Sequence, residues 1–130
     1  MSFIPSRILS KLFNRTSLRN AGDKVCFSVK NRLAPATLLN VSRIELDGTE
    51  VPVKLVNVSC DDDSSMPLGA ISDKKRLDFP LGRMLTFFMD IDPLETGSHD
   101  LTVVFTTEPF GELRMKVHDD LNTGEHTPGA

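Results

Sequence analysis

The sequence has no tryptophan, no tyrosine, two cysteines and three histidines, and these shortages argue against several classes of protein. Proteins that bind sugars or unpaired bases on their own commonly use tryptophan or tyrosine, whose rings stack and hydrogen-bond at once. The eight phenylalanines of this chain can stack but carry no polar group. A self-sufficient carbohydrate-binding or single-strand-binding module is therefore disfavoured.

The two cysteines and the net charge limit the cellular compartment and the kinds of partner that we expect for the protein. Cys26 and Cys60 are too few for a disulfide framework and lack the spacing of a metal site. Two free thiols without the apolar core of a signal peptide predict a cytoplasmic location. No apolar run reaches membrane-spanning length, so we expect no membrane partner. The net charge is −3, which gives no indication of a nucleic-acid partner.

The residues that could carry chemistry are scattered along the chain. His99, His118 and His126 have no neighbouring pattern of metal ligands, so a cupin-type enzyme is a weak hypothesis and we expect surface histidines. Asp90 and Asp92 share one face of a strand, and paired carboxylates can bind calcium or work as acid and base. We favour the other interpretation, a solvated outer face that runs into a turn. We predict no catalytic residue, no metal ligand and no cofactor on this chain.

What the sequence does contain is a clear period of two. Apolar residues occupy every second position over 85–91, 101–105 and 113–117 in one phase, and again over 25–29. This period predicts neighbouring strands of an antiparallel sheet with one buried face, because successive side chains point to opposite sides. Short strands with regular Gly, Pro and Asp turns favour an all-β antiparallel sandwich.

Two further strands, 37–46 and 50–58, are predicted to form a hairpin. Asp47-Gly48 between them suits the two-residue primed turn, whose positive φ angles these residues tolerate. Pro52 near the start of the return strand suits an edge position. The apolar phase of that strand shifts at Val56, which indicates a bulge.

The length of 130 residues fits one domain. We predict an N-terminal arm over 1–17, a β-sandwich over 18–121 and a flexible tail over 122–130. The polar stretch 59–76 is the longest loop candidate, and its run of aspartates at 61–63 is typical of residues that cap turns.

The N-terminal arm mixes basic and apolar residues. Arg7, Lys11 and Arg15 lie among Ile, Leu and Phe at a spacing that suits a short amphipathic helix, even a targeting or membrane-surface segment. The other interpretation is a first strand or an arm that packs on the sheet.

Three apolar residues break the expected polar outer face. Met84 and Phe88 are opposite in phase to the core residues of their strand, and Val104 is opposite in the next one. An antiparallel sheet with one wet face should carry polar residues there. A second sheet, the N-terminal arm or a partner subunit could cover them.

Four segments carry a family resemblance: 27–37 (FSVKNRLAPAT), 41–48 (VSRIELDG), 77–83 (LDFPLGR) and 108–113 (EPFGEL). In this order they resemble the small β subunit of bacterial C-glycoside deglycosidases, over about residues 18–120. The segments are short motifs typical of strands and turns, and they contain no catalytic signature.

The resemblance implies a β-sandwich subunit paired with a larger TIM-barrel α subunit that carries a divalent metal and the catalytic histidine. The implied reaction is β-elimination of the aglycone from a 3-oxo-C-glycoside. The keto group acidifies the neighbouring C–H, and the metal would stabilise the developing enolate. This chain would complete or cover the substrate cleft.

Five residues are candidate contacts with that partner or with the substrate cleft. Arg32 and Arg83 follow strand-breaking loops and could present guanidinium donors. Phe79 and Phe110 lie in loops beside a proline, where they could anchor an interface or pack under their own loops. For Phe88 we expect that an aspartate would weaken association and leave the fold intact. The alternative function is a free-standing ligand-binding or oligomerising β-sandwich without enzymatic activity.

Overall fold

The computed structural model describes residues 4–61, 64–72 and 74–121, and these form two antiparallel sheets with one shared core. The all-β antiparallel sandwich with an N-terminal arm is therefore confirmed. The helical segments are α1 (Ser6–Leu9) and 3₁₀ turns at Ser10–Leu12, Val53–Leu55 and Leu68–Ala70. The strands are β1 (Arg19–Ala21), β2 (Lys24–Lys30), β3 (Ala36–Leu46), β4 (Thr49–Val51), β5 (Val56–Cys60), β6 (Met66–Pro67), β7 (Leu77–Phe79), β8 (Met84–Met89), β9 (Gly97–Glu108) and β10 (Gly111–Leu121).

The first sheet has the strand order β1-β2-β8-β5-β6. Its central pair follows the predicted alternation, since Val25 pairs with Met89 and Phe27 with Phe87, and all four side chains are buried. The rings of Phe27 and Phe87 are stacked with their centroids 4.7 Å apart. Cross-strand aromatic pairs of this kind stabilise a sheet beyond the area that they bury.

The second sheet has the strand order β10-β9-β3-β4, and β7 also pairs with β3. β9 and β10 are in the predicted phase, with Phe105 opposite Leu113 and Val103 opposite Met115. β3 contains two register shifts against β9, one between Leu38 and Asn40 and one after Val41. These irregularities bend β3 and were not indicated by the apolar pattern.

The hairpin at Asp47-Gly48 is confirmed, with φ of 53° at Asp47 and 84° at Gly48. The prediction of one continuous return strand over 50–58 is wrong. The chain leaves the second sheet after β4 at Pro52, which has no N–H for a ladder, and enters the first sheet as β5. The shift in apolar phase marks this change of sheet and not a bulge.

The turn after β8 also crosses between the sheets. β8 pairs with β2 and β5, whereas β9 pairs with β3 and β10. The prediction that β8 and β9 are neighbours is therefore wrong. The prediction of which residues face inward on each strand is confirmed. Met84 and Phe88 lie on the outer face of the first sheet and Val104 on that of the second, so the three form no single patch. Val104 is buried between Arg43 and Arg114, its neighbours in register.

The N-terminal arm packs against the sandwich through apolar side chains. Leu9, Leu12 and Phe13 are buried in the common core, and Phe13 forms an isolated bridge with Val29 of β2. The packed arm is the second of the two predicted interpretations, and the four-residue helix within it is what remains of the first. The boundary at residue 17 stays a prediction, and the predicted tail over 122–130 lies outside the described residues.

A buried carboxylate of β10 fixes the end of the arm. Asp119 accepts the backbone N–H of Thr16 on Oδ1 at 3.0 Å and that of Leu18 on Oδ2 at 3.1 Å. Thr16 itself has a positive φ of 67°. The turn from the arm into β1 is thus held by two charge-assisted hydrogen bonds.

Candidate functional site

An apolar groove of about 350 Å³ opens at one end of the sandwich, between the arm, the β2–β3 loop, β7 and the β9–β10 turn. This volume is near the lower end of the range for ligand pockets. Polar side chains in its lining are Asn31 and Thr107. The apolar lining residues are Ile4, Pro5, Ile8, Leu9, Leu12, Leu33, Ala34, Ala36, Phe79, Phe105, Phe110 and Leu113.

Asn31 holds the β2–β3 loop in place beneath the groove. Its side chain is 3% exposed, and its Nδ2 donates to the carbonyl oxygens of Ala34 at 2.8 Å and Phe79 at 2.6 Å. The N–H of Leu33 donates to its Oδ1 at 3.1 Å. Because Pro35 prevents the strand from continuing, the loop depends on these side-chain bonds for its shape. They leave Leu33 half-buried at the mouth of the groove.

The loop before β8 is joined to the same asparagine through the backbone. Asn31 N–H donates to the carbonyl of Arg83 at 3.0 Å, and Gly82 N–H donates to the carbonyl of Asn31 at 2.8 Å. Gly82 has a φ of 88°, which its tight turn requires and which L side chains rarely adopt. This places the exposed Leu81 at the same end of the sandwich as the groove.

The two predicted arginines make internal contacts. Arg32 donates from Nη1 to the carbonyl of Lys11 at 2.8 Å and from Nη2 to Oδ1 of Asn14, so it secures the arm. Arg83 donates to Oδ2 of Asp61 at 3.2 Å and to the carbonyl of Asp78 at 3.2 Å. Both guanidinium groups remain at least partly exposed. A contact with a partner remains a prediction for each of them.

The sequence predicted that Asp61 caps its own turn, but it continues the β5–β8 pairing instead. Its Oδ1 accepts the N–H of Met84 at 2.9 Å, and its own N–H donates to the carbonyl of Met84 at 2.8 Å. The side chain therefore joins the end of β5 to the start of β8. Asp62 and Asp63 lie outside the described residues.

The three predicted phenylalanines separate into two places. Phe79 lies in the strand β7 and not in the predicted loop, and it is buried there. Phe110 is half-buried in the β9–β10 turn, and both rings line the groove. Phe88 lies half-buried on the outer face of the first sheet, in register with Cys26 and Asn57. The groove therefore unites two of the five predicted contact residues, with Arg32 and Arg83 on the loops that shape it.

The opposite end of the sandwich holds His99 in a hydrogen-bonded pair with Asp47. The His99 side chain is 11% exposed, with Nδ1 2.6 Å from Oδ2 of Asp47 and Nε2 2.7 Å from the carbonyl oxygen of Glu95. The carboxylate and then the carbonyl favour the imidazolium and raise the pKa of His99. The hydrogen bonds from His99 and from Asp100 N–H lower the pKa of Asp47. The sequence predicted that His99 lies on the surface, but its side chain is largely buried.

The other candidate groups show no arrangement typical of catalysis. His118 pairs with Asp100 at 2.7 Å on the open surface, as predicted for a surface histidine, and Asp90 pairs with Lys24 at 3.5 Å. Burial raises the pKa of the Cys26 thiol, so it stays protonated and unreactive. Over 4–61, 64–72 and 74–121 no three His, Cys, Asp or Glu residues come together to hold a metal. His126 lies outside the described residues.

Sequence reasoning missed the residues that build the groove. Asn31, Ile8 and Leu33 were not singled out, because an isolated asparagine or leucine carries no local signal. Asp119 was missed for the same reason. The position of Asn31 between a strand and Pro35 is the single cue that its side chain would organise a turn.

The chain was compared with known proteins. Residues 8–122 match the model of a family described as hydroxymethylglutaryl-CoA reductase, N-terminal domain. Among curated proteins no sequence matches the chain. No helix of the described residues is long and apolar enough to cross a membrane.

Proposed function

The chain belongs to the family described as hydroxymethylglutaryl-CoA reductase, N-terminal domain, and from this premise we propose that it is an accessory β-sandwich of a larger enzyme. The family description names one domain of an enzyme. The side-chain contacts support an accessory role, because His99, His118 and their aspartate partners are engaged in hydrogen bonds and Cys26 is buried. None of them faces the groove.

The observation that carries the proposal is the apolar groove at the end of the sandwich. Its lining can exclude water and seat apolar groups, but it offers no acid, base or nucleophile to a substrate. Such a surface is suited to association with a catalytic partner.

We propose further that the partner is the TIM-barrel α subunit of a lyase that cleaves 3-oxo-C-glycosides. Three of the four segments that carry this resemblance, 27–37, 77–83 and 108–113, contribute lining residues to the groove. Their convergence supports the idea that they share a function as well as a fold. In this proposal the chain completes the substrate cleft in a cytoplasmic complex.

The divalent metal and the catalytic histidine of that reaction would belong to the α subunit. A metal there would stabilise negative charge on the substrate oxygen. The part of this chain that the structure describes has no fitting ligand set, so no metal is assigned to it. The contribution of this chain would be the burial and positioning of the partner's loops by Phe79, Phe110 and the residues around them.

A second candidate follows from the family itself. The match over 8–122 favours an accessory domain that works with a hydroxymethylglutaryl-CoA reductase. This candidate shares the accessory role and differs in the partner and its substrate.

Reconstitution with a candidate TIM-barrel protein, sought among the products of neighbouring genes, tests the proposal. We expect the mixture to release the aglycone from a 3-oxo-C-glycoside, followed by chromatography, at a rate well above that of the barrel protein alone. Equal rates for the barrel protein with and without this chain would contradict the proposal. A complex of this chain with a hydroxymethylglutaryl-CoA reductase, and none with the barrel protein, would instead favour the second candidate. A chain that forms no complex and binds small ligands alone would favour a free-standing β-sandwich.

A further inference from the structure

The large apolar side chains that stay exposed lie at the groove end of the sandwich. In the part of the chain that the structure describes, these are Ile8, 36% exposed on the arm, and Leu81, 55% exposed at the turn tip. Ile8 lines the groove, and Leu81 is held beside it through the bond from Gly82 to Asn31. Their clustering at one end distinguishes this region from an ordinary protein surface with scattered apolar residues.

Three cationic residues next in sequence to groove-lining residues form no ion pair with another described residue. Arg7 and Lys11 are exposed on the arm, next in sequence to the groove-lining Ile8 and Leu12. Arg32 donates to backbone carbonyls and to the neutral amide of Asn14. None of the ion pairs between described residues involves Arg7, Lys11 or Arg32.

The carboxylates at this end are already engaged or point elsewhere. Glu108 pairs with Arg76 at 2.9 Å and Asp61 with Arg83 at 3.2 Å. Asp78 and Glu112 are exposed and lie opposite in phase to the groove-lining Phe79 and Leu113, so both point away from the groove. All 18 acidic residues of the chain follow the arm in sequence, so the arm is a basic element on an acidic molecule. Among the described residues, no carboxylate forms an ion pair with a cation of the arm.

We infer that the groove docks a segment of the catalytic partner that carries apolar side chains flanked by acidic residues. The apolar side chains would fill the groove between Leu33 and Phe110, and the carboxylates would face Arg7, Lys11 and Arg32. Such complementarity gives specificity and speeds association. This inference rests on the proposed function, because it specifies the chemistry of the partner that the accessory role requires.

A peptide-like segment fits the groove better than a sugar or a lipid surface. A sugar needs several hydrogen-bonding groups, whereas Asn31 already uses its side-chain groups within the loop. A lipid surface is contacted by protruding apolar side chains, but most of the apolar surface here lies in a concave groove. The helix α1 has four residues, too few for an interfacial membrane helix.

Selection from a random twelve-residue peptide library displayed on phage, with the full chain as bait, tests the inference. We expect enrichment of peptides that combine apolar residues with Asp or Glu. Arg7→Glu with Lys11→Glu, and separately Leu33→Glu, should weaken the selected peptide about tenfold or more in fluorescence anisotropy. Arg114→Glu with Lys116→Glu is the matched control, since it reverses two exposed charges on the outer face of β10. This control should change the affinity less than twofold.

Several results would overturn the inference. These are selection without acidic enrichment, peptides whose affinity is unaffected by the groove variants, and stronger binding of the chain to phosphatidylglycerol vesicles than to any selected peptide. Self-association that the groove variants abolish would assign the groove to a second copy of the chain. The thermal transition of each variant shows whether it is folded. Groove-dependent acidic peptides without a complex with the barrel protein would refute the proposed function alone, and a complex that the groove variants leave intact would refute this inference alone.

Discussion

At the scale of single residues, Asp119 shows how a charged side chain can hold a fold together. It is buried, yet each carboxylate oxygen accepts a backbone N–H of the turn between the arm and β1. Hydrogen bonds to charged groups stabilise more than neutral ones, and a buried N–H without a partner is costly. The groove depends on this contact indirectly, because Asp119 anchors the arm that forms one wall.

We expect Asp119→Ala to lower the free energy of unfolding by about 2–3 kcal/mol, because two backbone N–H groups lose their acceptor. Urea denaturation measures this change. Glu112→Ala on the exposed face of the same strand is the control and should stay within about 0.5 kcal/mol of the wild type. Equal effects of the two substitutions would contradict the role assigned to Asp119.

A second prediction concerns His99 and pH. Because its pKa is raised in the folded chain, His99 stabilises the fold fully below its ordinary value of 6.5, and this stabilisation disappears as pH rises through the folded pKa. The pKa of Asp47 is lowered, so its contribution is present above 3.8 and is lost as pH falls through the folded pKa. Both contributions are therefore present together between these two ordinary values.

His99→Gln should flatten the change in urea midpoint between pH 5.5 and pH 8. His118→Gln is the matched control, since the His118 pair is exposed and screened by water, and its profile should follow the wild type. A wild-type slope that persists in His99→Gln would show that another group is responsible.

At the scale of elements, alternation identified the inward-facing residues of β2, β8, β9 and β10 but not the sheet to which each strand belongs. A period of two reports which side of a strand is buried, and both sheets of a sandwich bury one side. The chain changes sheet after β4 and after β8, and the sequence indicates these changes only by a shift in the apolar phase and by a proline. The bulges of β3 depend on pairing with β9, so the sequence of β3 alone does not reveal them.

The β3–β4 turn could be predicted because its chemistry is local. Gly48→Ala should lower the free energy of unfolding by about 1 kcal/mol, since its φ of 84° disfavours a side chain. A Cβ there would meet nothing within 4 Å, so the cost is conformational and not a clash. Gly69→Ala is the control, because Gly69 has no positive φ and its nearest neighbour would be Val53 Cγ1 at 3.9 Å. Urea denaturation of both variants checks the contrast, and an equal loss in both would contradict this explanation.

At the scale of the whole molecule, the candidate site was predictable only in its parts. Arg32, Phe79, Arg83 and Phe110 were selected because they lie in or beside loops that interrupt strands, and those loops meet at one end. The groove itself needs the arm, β7 and the β9–β10 turn to be brought together by the fold, which no local pattern records. Phe88 was selected because it alternates with the buried residues of its strand. This alternation correctly predicted that Phe88 faces outward, but it could not show that Phe88 lies far from the other four candidate contact residues.

The outward position of Phe88 leads to a prediction for the whole assembly. Phe88→Asp should leave the thermal transition of the isolated chain nearly unchanged, because Phe88 is outside the common core. It should weaken association with the barrel protein less than Phe110→Asp does, because Phe110 lines the groove. Isothermal titration calorimetry measures both affinities. Loss of the thermal transition in Phe88→Asp would show instead that the ring supports the fold.

The central claim is that this chain is an accessory module that requires a catalytic partner. The most direct test is the mass of the complex by size-exclusion chromatography with light scattering, after co-expression with a candidate TIM-barrel protein from a neighbouring gene. We predict that the two chains elute together at the mass of a heteromeric complex. Elution of the two proteins as separate species, each at its own mass, would contradict the claim.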